Sequence, residues 1–166
     1  YQDKEMVKNA IDMHIHPIKK KKGMNLSVPL TIEAVEEMND AGMAGTIIKP
    51  HWIETTLLAQ SIDHLFSDFQ VFGGFVMDRP AGGIDPYVVK ELIDQGAKKF
   101  WMPLMTKSYW DKQLAHPQGY VDEEAYNRME KRFGPFWTYL NNDGEIREEI
   151  RSDLREVLEI IAENDV

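Results

Sequence analysis

The chain has 166 residues, enough for one domain with a sizeable core, and its 19 Lys and Arg against 28 Asp and Glu give a formal charge of -9. That charge repels phosphate backbones and argues against nucleic acid as the main partner. The absence of cysteine excludes a disulfide framework and every thiolate metal site, leaving His, carboxylate or Lys-derived ligands for any metal, and it fits a reducing, cytoplasmic setting.

In chain order, residues 10–17 (AIDMHIHP) read as a buried strand that ends by pointing His14 and His16 the same way, because residues i and i+2 of a strand share a face. A loop with the lysine run 19–22 follows, most simply a solvated segment. A helix is expected over 31–41, capped by Thr31, with Ile32, Val35 and Met38 inward and Gly42 placed to end it. Residues 45–49 read as a second buried strand, stopped by Pro50 with His51 just beyond. The next helix is expected over 54–66, with Leu57, Leu58, Ile62 and Leu65 on one face. The third strand is read over 70–77 and runs into a loop that begins Asp78-Arg79. Asp85 is an N-cap followed by Pro86 at the first helical position, and Val88, Val89, Leu92 and Ile93 carry that helix to Gly96. Residues 98–102 make the fourth strand, closed by Pro103.

This β-α-β-α-β-α-β order implies parallel strands joined by helical crossovers. Residues 104–146 break the rhythm as an insertion, aromatic-rich and ending in a small β-hairpin that turns at Asp143-Gly144. An amphipathic helix over 147–163 follows, with Ile150, Leu154, Val157, Leu158 and Ile161 inward, and Asp165-Val166 looks like the start of a fifth strand. A closed barrel of such units takes about 250 residues. The pattern therefore reads as an α/β fold, a parallel (β/α) barrel of the TIM type of which 1–166 is the first half. Open strand edges and a half-exposed barrel interior would drive self-association, so a homo-oligomer is expected. No apolar run approaches the roughly 18–20 residues of a membrane span, and no membrane partner is expected.

Active sites of parallel α/β folds lie at the carboxyl ends of the strands. His14 and His16 end the first strand, Lys49 and His51 the second, Asp78 and Arg79 the third, Trp101 and Met102 the fourth. Each has a bland alternative: a lone H-x-H is a weak motif, a strand-end Lys is often solvated, and Asp-Arg is often a surface ion pair. Their coincidence on one rim favours a shared site. Lys49, Asp78 and Arg79 are the catalytic candidates, with Arg79 suited to fork onto a substrate carboxylate. Of the other histidines, His64 is expected to face solvent, while His116 lies with Lys107, Tyr109 and Trp110 in a lid-like stretch of the insertion. The tryptophans are read chiefly as core or rim packing.

Residues 11–17 (IDMHIHP), a hydrophobic strand into H-x-H-P, resemble the opening of the amidohydrolase superfamily of metal-dependent hydrolases, and 41–51 (AGMAGTIIKPH) with 72–79 (FGGFVMDR) resemble a little-characterised branch of it. The resemblance is strongest over 10–104. It implies a (β/α)8 barrel and a mono- or dinuclear site for zinc, with manganese or iron as alternatives. It also implies hydrolysis of an amide, ester or related bond, and Lys49 and Arg79 would suit an anionic group on a small substrate. By the same match His14 and His16 are metal ligands and His51 the best third one. Lys49 departs from the superfamily's carbamylated lysine, which follows a later strand, and is expected instead to orient a water or a substrate anion. Further His ligands and the catalytic Asp of the superfamily follow strands that come after Val166. Two alternatives remain open: a phosphoesterase of the polymerase-and-histidinol-phosphatase type, in which an acidic residue precedes the second-strand His where this chain has Pro50, and a non-catalytic oligomeric scaffold.

Overall fold

A computed structural model of the chain describes residues 4–17, 27–49, 53–103 and 145–166, with isolated positions at 124, 127–128, 131–132 and 139. A short α1 (Lys4–Val7) leads into β1 (Ile11–Ile15), and then α2 (Val28–Asp40), β2 (Gly45–Ile48) and α3 (Thr56–Asp63) follow. Next come β3 (Gln70–Phe72), β4 (Gly74–Val76), a 3₁₀ turn (Arg79–Ala81), α4 (Pro86–Asp94) and β5 (Lys99–Trp101). A second 3₁₀ turn (Glu148–Ile150) opens α5 (Arg151–Glu163). Among the described residues all strand pairs are parallel, in two small sheets ordered β1-β2-β3 and β4-β5. The expected alternating α/β architecture is therefore present; the described strands close no barrel.

The strand expected over 70–77 is interrupted. Its first half pairs with β2 and its second half with β5, and the break falls at Gly73. A Cβ there would lie 2.4 Å from Thr56 Cα and 2.7 Å from Thr55 O, so only glycine lets α3 enter this closely. Thr55 fills the gap in the ladder. Its hydroxyl proton can go to Ile48 O (2.9 Å) or Gly74 O (3.1 Å), and its oxygen accepts the Gly74 N–H at 3.0 Å. Thr55 is fully buried, so these bonds replace the backbone pairing that the two sheets lack between them.

The helices differ from the sequence reading in ways their caps explain. α2 starts at Val28, with Ser27 as N-cap and proline in the first turn, where a missing N–H costs nothing. Thr31 is thus inside the helix, and its hydroxyl donates to Ser27 O at 2.8 Å. α3 is shorter than 54–66, and its inward stripe is Thr56, Ala59 and Ile62, because the docking of Thr55 and Thr56 against Gly73 fixes its rotation. Leu57 and Leu65 consequently face solvent, while Leu58 stays packed at the core edge. α4 matches expectation: Asp85 Oδ1 accepts the N–H groups of Tyr87 (2.9 Å) and Val88 (3.3 Å).

Two clusters form the core. Ile15, Ile48 and Val71 pack with Val35 and Met38 of α2 and with Ala59 and Ile62 of α3. Phe75 and Met77 pack with Val89 and Leu92 of α4 and Val157 of α5. β1 is less buried than the sequence suggested, since Ile11 and Met13 are about half exposed and only Ile15 of that row reaches the core. Leu158, expected inward on α5, is also exposed, and the final residues 164–165 form a turn rather than a strand. The hairpin turn at Asp143-Gly144 lies outside the described residues.

Candidate functional site

Because Ile15, Ile48, Phe75, Met77 and Phe100 face the helices, strand alternation puts their neighbours on the opposite face. His14, His16, Lys49, Asp78 and Trp101 thereby meet at the carboxyl ends of the strands. The histidine rings lean together, with centroids 4.7 Å apart and planes at 71°, and their Nε2 atoms are 2.7 Å apart in a hydrogen bond. One Nε2 must carry the proton and the other the lone pair. The backbone here is held by the Lys49 N–H, which donates to Ile15 O at 2.9 Å, and by the His14 N–H, which donates to Asp12 Oδ1 at 2.9 Å.

Trp101 is the hub of the remaining contacts. The Lys49 ammonium lies 5.3 Å from the centre of its ring, within cation–π range, and His14 meets it edge-on at 6.3 Å. Gly74 makes room: a Cβ there would sit 2.5 Å from Trp101 Cζ3. Lys49 is 3% exposed and Asp78 is 1% exposed, so two opposite charges share a nearly dry floor.

These surroundings alter the ionisation of the cluster. Desolvation, then the charges of His14 and Lys49, push His16 down to about 4, with a hydrogen bond to the Lys49 backbone acting the other way. His14 is lowered by desolvation and by Lys49, and Asp12 opposes this. Lys49 is lowered by burial, against the carboxylate of Asp78. Both imidazoles are therefore held neutral at physiological pH, the form in which histidine binds a metal or accepts a proton.

The pair is suited to a divalent ion by its donors. Two imidazole nitrogens on one tetrahedral zinc, each at about 2.0–2.1 Å, lie about 3.3 Å apart, against 2.7 Å here, so a small opening of the rings would admit one. Among the described residues no three His, Asp or Glu side chains converge on a common point. His51, the expected third ligand, lies outside the described residues, as do His116, Lys107, Tyr109 and Trp110. Arg79 is exposed at the head of the 3₁₀ turn, its side chain lying along Gly83, and among the described contacts it joins neither histidine nor Lys49. His64 is exposed at the end of α3, as expected.

The sequence reading missed Trp101 as a shared wall and Asp12 as the carboxylate behind His14. Asp12 had a signal, since it precedes His14 by two residues on the same strand face. Trp101 had only its strand-end position.

Fold and cluster together define an α/β protein of parallel strands with a neutral histidine pair, a buried lysine and a buried aspartate on one rim. The chain belongs to the family of unknown function DUF6282, whose sequence profile spans residues 9–166. No curated protein and no solved structure matches it significantly.

Proposed function

We propose that this chain is part of a metal-dependent hydrolase barrel related to the amidohydrolases, in which His14 and His16 hold a divalent ion, zinc by preference, beside a small anionic substrate. The observation that carries this reading is the convergence of two neutral Nε2 atoms at 2.7 Å on the strand-end rim. When bound, such an ion would polarise a carbonyl and make water acidic enough to be a nucleophile near neutral pH. The chain's own residues supply the setting. Lys49, close to both rings, offers a positive charge to a substrate anion. Asp78 holds that ammonium charged against the cost of its burial. Trp101 gives Lys49 an aromatic face and excludes water from one side of it. Asp12 orients β1 through the His14 N–H. His51 remains the proposed third ligand, and Arg79 a substrate-carboxylate contact that would have to swing in from the rim.

Titration calorimetry of metal-stripped protein with Zn²⁺ and Mn²⁺ tests the metal. The wild type should bind, and His14→Ala and His16→Ala should each lose at least about tenfold in affinity while keeping the wild-type circular dichroism. Turnover of amide and ester panels, but not of phosphate monoesters, should follow the same variants. Zinc affinity untouched by both substitutions would remove the basis of the proposal, and phosphatase activity alone would transfer it to the phosphoesterase class.

A further inference from the structure

The outward face of α5 carries an unexplained feature. An open groove of about 400 Å³ runs along it, lined by Ile146, Arg151, Leu154, Arg155, Leu158 and Ala162, with Glu159 on its flank. Leu158 stands 52% exposed on its wall and Ile146 is 36% exposed, whereas Leu154 at its floor and Val157 on the inward side of the helix are buried. The entry to the groove is ordered: Arg151 pairs with Glu148 at 3.1 Å and donates to Ile146 O at 3.3 Å. An apolar knob beside an apolar hollow, on one helix, is self-complementary in the way a two-fold contact requires.

Charge decides the occupant and its direction. Along the groove side of this helix Arg151, paired with Glu148, and Arg155 come first, and Glu159 and Glu163 follow, with the exposed Glu156 farther round toward Glu163. Among the described residues no ion pair joins Arg155 to Glu159 within the helix. A parallel neighbour would set arginine against arginine. An antiparallel copy related by a two-fold axis sets Arg155 against the partner's Glu159 and Arg151 against the partner's Glu163, with the helix dipoles also opposed. For a chain of formal charge -9, this face offers a second copy local attraction where the surface as a whole repels.

We propose that two copies of this chain associate through antiparallel packing of α5, each inserting Leu158 into the other's groove. A helix of 13 residues is about 20 Å long, so the contact is small and the dimer weak, with dissociation on the order of micromolar. The inference is independent of the metal.

Sedimentation velocity of the intact chain from about 1 to 100 µM tests it. The wild type should pass from monomer to dimer across that range. Leu158→Glu should be monomeric throughout with an unchanged circular dichroism spectrum, as expected of a residue already half in solvent. Arg155→Glu should weaken the dimer at least about tenfold, and Arg155→Glu combined with Glu159→Arg should restore it. A wild type that stays monomeric, a dimer indifferent to Leu158→Glu, or a double variant no better than Arg155→Glu would each overturn the proposal; the second result would point to the open β1 edge with its exposed Ile11 and Met13 instead.

Discussion

Two polar clusters in this chain are built on opposite plans. Around Thr55, Gly73 and Gly74 the hydroxyl and the backbone groups it serves are joined by hydrogen bonds near 3 Å, and neither Gly73 nor Gly74 has room for a methyl group. Around His14 and His16 one ring is exposed, the two depend on each other, and both are discouraged from taking a proton. The first cluster joins β2, α3, β3 and β4, and the second hangs from the end of β1. Stability and chemistry thus reside in different residues, and substitutions should separate them.

The largest effect is expected at Gly73. Gly73→Ala drives a methyl group against the backbone of Thr55 and Thr56, which cannot move without displacing α3, and should cost about 3 kcal/mol in chemical denaturation. A loss under about 0.5 kcal/mol would mean that the close approach is not maintained in solution. Thr55→Val should come next. It keeps the shape but strips the hydroxyl from buried backbone groups that it serves, for a cost of about 1–3 kcal/mol, whereas Thr55→Ser retains the hydrogen bonds and should lose less. If Thr55→Ser proved costlier than Thr55→Val, packing of the methyl group rather than the hydrogen bonds would be responsible. Neither variant should alter zinc binding beyond its effect on folding, which makes them the reverse of His14→Ala.

Much of this division was legible before any coordinates. Alternating strand and helix signals located every described strand, Asp85 with Pro86 marked the start of α4, and the i, i+2 spacing of His14 and His16 put both rings on one face. The break at Gly73 was missed because aromatic and β-branched residues flank it on both sides, although the adjacent Gly73 and Gly74 were a signal, and only the approach of α3 shows why the glycine is needed. The rotation of α3 was hidden for the same reason: Leu57 and Leu65 fit a helical stripe as well as Ala59 and Ile62 do, and tertiary docking chose between them. The strand-end position of Trp101 put it on the rim, but its contacts with Lys49 and His14, for which Gly74 makes room, depend on distance in space. The open face of α5 was misread as core because Leu158 follows Val157 in a helix apolar on more than one side.

The smallest effect expected is on acid stability, and it bears directly on the histidine cluster. In metal-free protein His16 titrates near 4 when folded, against 6.5 when unfolded, so between these values the unfolded chain binds more protons. The sign follows: this group's contribution is complete above about 6.5 and declines as pH falls toward 4, whereas a histidine stabilised by a carboxylate would do the opposite. Because His16 is only partly buried, solvent screens the effect, and the shift in denaturation midpoint should be modest. His16→Asn should flatten that decline, leaving the acid loss due to other groups, and ring proton shifts followed by NMR should place the His16 inflection well below the ordinary histidine value of about 6.5. A His16 inflection near 6.5, or an acid decline as steep in His16→Asn as in the wild type, would show that burial and the neighbouring charges do not hold His16 neutral, and the lone pair offered to a metal would not be preorganised.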